Sequence, residues 1–243
     1  MCCYSLEIKT GAMIMIAISK YPALRCNYGN ARALNTIKYI AIHYTANDGD
    51  TALSNAKYFA RGNRGASAHY FVDSSYIVQS VADNYVAWSV GGNKYSDCNK
   101  TGGGTLYGKC TNANSISIEI CDDNKNGNIY PSEKTISNAI ELTQMLMKKY
   151  NISINNIVRH FDVNGKRCPA YWCGNSTNNA KWSEFKSKLE EKVVKQNIKI
   201  NGKIKAVDAI NRDGYTYVKI RDLSDALIVE YDKETKLITV KTK

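Results

Sequence analysis

Three residues of this 243-residue chain have the types and spacing to hold a metal ion together. His43 closes an apolar, β-branched stretch, residues 37–43 (IKYIAIH). His160 closes a second one, residues 152–160, and Cys168 follows eight residues later within HFDVNGKRCP. Two imidazoles and a thiolate form a three-ligand zinc set that leaves a fourth position for water, the pattern of catalytic rather than structural zinc. Taken singly, His43 is more simply a satisfied core histidine and Cys168 a small buried apolar residue. Two strand-end histidines with a cysteine at this distance shift the balance toward a metal. The chain has only 3 histidines, so such a site uses most of the supply.

Two further residues fit the same chemistry. Glu119 interrupts an apolar strand, residues 115–121 (SISIEIC). Alternation puts Ile116, Ile118 and Ile120 on one face and Ser115, Ser117, Glu119 and Cys121 on the other. A carboxylate on the polar face of a central strand could serve as a general base beside a metal site. Its plainer alternative is a half-exposed edge carboxylate. Lys166, two residues before Cys168, is held near the metal by the ligand loop and could stabilise a developing oxyanion. Read alone, it is a solvated surface charge.

The elements that must position these residues can be read from periodicity. Residues 37–43 read as a buried strand, followed by a helix near residues 52–60. Residues 68–73 and 76–81 form a hairpin around Ser74-Ser75. A Gly- and Asn-rich loop covers residues 91–114, a length that is usually functional inside a compact domain. Residues 132–150 are the strongest helix, with Ile136, Ile140, Thr143, Met147 and Tyr150 at helical spacing, Pro131 before it and Lys148-Lys149 in its last turn. A short strand lies within residues 152–160. A helix over residues 178–195 carries Trp182, Phe185, Leu189 and Val193 on one face. The character changes near residue 196. Beyond it come NIKI, an Asn201-Gly202 turn and KIKAV. A strand over 215–220, a short helix over 221–226 and a hairpin around 232–236 complete the tail. The expected fold class is α/β, a mixed central sheet flanked by helices in residues 1–196, with a small β-rich module in residues 197–243. Residues 1–12 precede Met13 and Met15 and read as an extension without a role in the fold.

Composition sets the frame. Lys+Arg 33 against Asp+Glu 22 gives a net charge of +11, which suggests an anionic partner such as nucleic acid or a bacterial wall polymer. At 23% charged and 44% hydrophobic the chain is neither disordered nor collagenous. The 8 cysteines are scattered, without a CxxC pair, and most read as reduced thiols. Cys98 and Cys110 bracket the Gly-rich loop and could pair after release from the cell. No apolar run approaches the ~20 residues of a membrane span. The N-terminus reads poorly as a signal peptide, since Glu7 and Lys9 interrupt it. The expectation is synthesis in a bacterial cytoplasm and action elsewhere only after release.

These residues together resemble a known family. His43 in YIAIHYTA, His69 in GASAHYFVD, Trp88 in VAWSVGG, Glu119 in NSISIEI, and His160 through Cys168 in RHFDVNGKRCPA are similar to the type 2 N-acetylmuramoyl-L-alanine amidases. These zinc enzymes belong to the bacteriophage-lysozyme and peptidoglycan-recognition superfamily, and the resemblance leans toward clostridial phage endolysins. It runs in order from about residue 37 to residue 182. It implies zinc on His43, His160 and Cys168, Glu119 activating water, and Lys166 stabilising the tetrahedral intermediate. It places Trp88 in contact with substrate, and His69 either behind the metal ligands or in contact with substrate, although Ser89 stands where the family often has histidine. The implied reaction is hydrolysis of the amide between N-acetylmuramic acid and L-alanine in peptidoglycan, with lysis of the wall.

The tail resembles the small module of copper amine oxidase N-terminal regions, through INGK, AINRDGYTYVKIRDL and VEYDKETKLITV. It has no His, Cys or Met and implies no copper; wall attachment is its expected use. A recognition protein that binds peptidoglycan without cutting it is the alternative, and typically lacks the cysteine ligand. A nucleic-acid binder would need a clustered basic face or a stacking platform, which the motifs do not suggest.

Overall fold

The computed structural model describes residues 17–125, 127–190, 193–200, 203–212, 215–223, 227–231 and 238–242. The extension expected over residues 1–12 and the turns at 201–202 and 232–236 lie outside them. The chain divides into two units, Met1–Leu189 and Glu190–Lys243.

In chain order the first unit contains β1 (Ile18–Lys20), β2 (Tyr28–Ala31), β3 (Tyr39–Tyr44), α1 (Ala52–Phe59), β4 (Tyr70–Val72) and β5 (Ile77–Gln79). Then come β6 (Tyr85–Ala87), α2 (Cys98–Thr101), β7 (Ser115–Ile120), α3 (Glu133–Tyr150), β8 (Ile157–Arg159), α4 (His160–Asn164) and α5 (Ser176–Leu189). Six strands form one mixed sheet in the order β1-β5-β4-β7-β3-β8. Its pairs are parallel except the β4–β5 hairpin. Asp73 makes the hairpin turn, its Oδ1 accepting the Ser75 and Tyr76 amides at 2.7 and 2.6 Å.

β3 lies between β7 and β8, which explains its apolar run: a parallel strand is covered on both faces, and Ile40, Ala41 and Ile42 are fully buried. Along β7 the alternation holds. Ile116, Ile118 and Ile120 enter the main core with Leu142, Leu146 and Trp172. Cys121 joins a separate cluster with Ala52, Ala56 and Phe71.

α3 starts at Ser132, whose hydroxyl accepts the Thr135 amide, and stops at Asn151 in the left-handed region. Its buried face is Ile136, Ala139, Leu142, Thr143 and Leu146, while Ile140, Met147 and Tyr150 are partly buried beside it. Each fully buried Leu or Ile of this stripe contributes roughly 1.5–3 kcal/mol over exposure.

Three expectations need correction. His160 does not end the strand but opens α4, because Asp162 accepts the Arg159 amide at 2.8 Å and its guanidinium at 2.6 Å, which caps a new helix at that point. The last helix ends at Leu189, so Val193 is not on it; Val193 pairs with Ile210 in a strand. The loop over residues 91–114 contains α2 and a 3₁₀ turn at Asn112–Asn114. It packs on α4: Gly104 and Leu106 donate their amides to the Phe161 and Asp162 carbonyls at 2.9 and 2.8 Å.

The second unit is β-rich. β9 (Val193–Ile200), β10 (Lys203–Arg212) and β11 (Tyr215–Val218) form an antiparallel sheet in the order β11-β10-β9. Ile220–Leu223 is a 3₁₀ turn where a short helix is expected. β12 (Leu227–Tyr231) and β13 (Ile238–Thr242) pair antiparallel. The sequence boundary at residue 196 thus falls inside β9. Among the described residues no helix is long and apolar enough to cross a membrane.

Candidate metal centre

His43 and Glu119 are register partners across the β3–β7 pair. β8 flanks β3 on the other side, and the chain leaving it turns His160 inward at the start of α4. Cys168 returns to the same place because Phe161 donates its amide to the Cys168 carbonyl at 3.0 Å. Gly165 permits that return: its φ is +95°, and a Cβ there would collide with the Cys98 thiol.

The ligand atoms of His43, His160 and Cys168 lie within 4.8 Å of one another, and all three residues are buried. The Cys168 sulfur is 3.7 Å from His43 Nδ1, and the two imidazoles meet edge to face at 4.7 Å. Four buried atoms here have no hydrogen-bond partner: His43 Nε2, both ring nitrogens of His160, and Glu119 Oε2. Such atoms normally find partners in a folded protein. A cation between the two imidazoles and the thiolate would take one nitrogen of each ring and the sulfur, a nitrogen- and sulfur-rich donor set. The cluster therefore fits a metal ion.

Electrostatics agree with that use. Burial holds His43 well below the usual imidazole value, aided by His160 and Lys166. Burial takes His160 down to about 4, again with Lys166 contributing. Both rings are thus neutral, as metal ligands must be. Burial pushes the Cys168 thiol up, so it needs a nearby cation to ionise. Burial lifts the Glu119 carboxyl to about 8, against the pull of Lys166. Lys166 itself is exposed, and its charge acts on His43, His160 and Glu119 alike.

His160 alone of the three lines a cavity of about 690 Å³, together with Lys166, Trp88, Tyr95, Gly91 and Asn164 among others. Trp88 is 36% exposed there, its backbone fastened to Ser67 by two hydrogen bonds. Gly29 makes room for it: a Cβ on that residue would lie 3.0 Å from the indole nitrogen.

His69 differs from the others. It is 1% exposed, and it is not among the residues that line the cavity. Its Nδ1 contacts the Ser117 amide at 3.0 Å and hydroxyl at 3.1 Å. Its Nε2 contacts the Tyr85 carbonyl at 3.1 Å and the Arg32 guanidinium at 2.9 Å. Such a ring ties β4, β6 and β7 together and has no free edge for substrate.

Reading the sequence missed Tyr95, Asn112 and Asn164. Asn112 accepts the Ser89 and Val90 amides at 3.0 and 2.8 Å, which shapes the cavity wall beside Trp88. The Gly-rich loop marked the region but not these residues. Cys98 and Cys110 are free and buried.

A family model described as N-acetylmuramoyl-L-alanine amidase matches residues 33–171. The N-acetylmuramoyl-L-alanine amidase CwlL of Bacillus licheniformis is 38% identical over 146 residues, 58% of this chain and 38% of that protein. BlyA of Bacillus subtilis, a protein of the same name, is 32% identical over 166 residues, 66% of this chain and 43% of its own. The chain thus spans less than half the length of these relatives. Among solved structures, the catalytic domain of XlyA is 30% identical with a TM-score of 0.54, over 72% of this chain and 100% of that one. PlyL is 26% identical with a TM-score of 0.57, over 74% and 100%. With more than half of its length matched by the family model, this chain belongs to the N-acetylmuramoyl-L-alanine amidase family.

Proposed function

We propose that the protein hydrolyses the amide between the lactyl group of N-acetylmuramic acid and the L-alanine of the stem peptide in peptidoglycan. The observation that carries this reading is the buried His43–His160–Cys168 cluster, with its unpartnered nitrogens, beside Glu119 and with His160 and Lys166 lining an open cavity. The cofactor in this reading is zinc, held by those three residues. When bound, zinc supplies a Lewis acid that polarises the scissile carbonyl and acidifies water.

The chain's own residues do the rest. Beside a bound cation the Glu119 carboxyl would be drawn back toward its ionised form, and in that form the carboxylate takes a proton from the attacking water and passes it to the departing L-alanine nitrogen as the C–N bond breaks. The Lys166 ammonium faces the charge that develops on the carbonyl oxygen. Trp88 borders the groove that receives the glycan and peptide. His69 holds the strands that carry these groups rather than touching substrate. One structural neighbour is titled an endolysin of Bacillus subtilis, and an endolysin role, with release onto the cell wall, suits a basic chain of +11. The second unit would attach the enzyme to the wall and its anionic polymers.

The test is mass spectrometry of wall digests. New L-alanine amino termini with intact muramic acid support the reading; cleavage of another bond, or none, overturns it. A recognition protein of the same fold is the second reading. The presence together of Cys168, Glu119 and Lys166 favours the enzyme.

A further inference from the structure

Asn164 is the last residue of α4. It is 3% exposed, yet it lines the cavity. Its side-chain Oδ1 accepts the Lys166 amide at 3.0 Å, and its Nδ2 donates to the Gly91 carbonyl at 3.1 Å. Its own carbonyl accepts the Tyr95 amide at 2.8 Å and the Cys98 thiol at 3.4 Å. These partners lie on two separate margins of the cavity. One is the turn that presents Lys166; the other is the 91–98 segment that presents Tyr95.

The surrounding packing leaves both margins little freedom. A Cβ on Gly103 would sit 2.8 Å from the Phe161 ring and 2.9 Å from the Gly165 backbone. The loop therefore lies directly against α4 and the turn after it. The Asn164 side chain engages its oxygen and one of its two N–H donors with different partners, which fixes its orientation.

We propose that Asn164 is a positioning residue that sets Lys166 and the 91–95 wall in one register with respect to His160. The ammonium and the wall then act on the same bound substrate. This inference rests on the amidase reading above. Its two side-chain bonds are separable. The bond to Lys166 reaches an amide two residues ahead, a turn that a serine hydroxyl also makes. The bond to Gly91 requires the amide NH₂ that serine lacks.

The test compares Asn164→Ser and Asn164→Ala on a soluble muramoyl peptide, together with amide hydrogen exchange of the free proteins. Asn164→Ser should raise KM by about tenfold and keep kcat within about threefold, since wall contacts bind ground and transition states alike. Asn164→Ala should raise KM similarly and also lower kcat by about 100-fold, because Lys166 is then misplaced. Exchange should quicken at residues 91–95 in both variants and at residues 165–167 in Asn164→Ala alone. Equal kinetics for the two variants, or wild-type exchange at residues 91–95 in Asn164→Ser, overturns the proposal. If Asn164→Ala fails to fold, Asn164→Ser alone decides through KM and exchange at 91–95. A wild-type protein that releases no L-alanine termini refutes the amidase reading instead. The exchange measurement then still reports whether Asn164 holds both margins.

Discussion

His43 Nδ1 and Glu119 Oε1 stand 3.9 Å apart across the β3–β7 pair. Parallel pairing sets that separation, since the two residues are direct register partners. The proposed ligand and the proposed acid–base group are therefore fixed by one piece of sheet, without help from a loop. The Glu119 side chain keeps 21% exposure, so water can reach it.

Glu119→Gln tests that geometry. It keeps the shape and removes the proton acceptor, so kcat should fall by about 100- to 10,000-fold, the range of general-base contributions. Zinc content, measured by atomic emission, should stay at the wild-type level. A near-normal rate would remove Glu119 from the reaction.

Metal removal gives the second prediction. Dialysis against a chelator should abolish wall lysis, and added zinc should restore it. Zinc should also raise the melting temperature, since a ligand at 100 times its Kd stabilises the fold by about 2.7 kcal/mol. Cys168→Ser should weaken that thermal shift. Lysis that persists in chelator would refute the metal mechanism.

For His69 the expected effect lies in stability rather than in substrate binding. His69→Ala leaves a cavity and strips partners from Arg32 and Ser117, at a cost of about 2–4 kcal/mol. Chemical denaturation should register that loss, while KM of the folded fraction stays unchanged. A raised KM at wild-type stability would return His69 to the substrate groove.

Asp83 supplies a dependence on pH that is independent of the metal. Burial would raise its carboxyl, but hydrogen bonds from Lys149, Tyr150 and Tyr70 outweigh that and hold it below its usual value. A depressed folded value means the contribution is complete above the ordinary aspartate value of about 3.9 and fades as pH falls through the folded one. Urea unfolding at pH 6 and pH 3 should show this loss, and Asp83→Asn should flatten it. Equal slopes in the two proteins would exclude Asp83 as its source.

The strands that carry chemistry were legible because burial on both faces forces a continuous apolar run, as in residues 37–43, and a charge inside such a run, Glu119, stands out. The His43–His160–Cys168 trio was legible from residue type, and the structure brings its ligand-type atoms together. Three short strands, β1, β2 and β6, escaped notice because three or four residues carry too little periodicity. His160 was misplaced by one element, since the cap that starts α4 depends on Asp162 folding back onto Arg159. His69 was a candidate for substrate contact only through the family resemblance. Only the partners on both ring nitrogens reveal it as a strut, and those come from β6, β7 and Arg32, far along the chain.

The edge position of β8 has a consequence for biosynthesis. β8 pairs with β3 alone, and it delivers His160, with Cys168 soon after. A nascent chain that has not yet emerged past residue 156 holds one of the three cluster residues, His43. It also exposes β3, an apolar strand, as a bare sheet edge, the kind of surface that invites pairing with other chains. The maturing chain therefore lacks the complete cluster and is at its most adhesive until residues 157–189, the last 33 of the first unit, are in place.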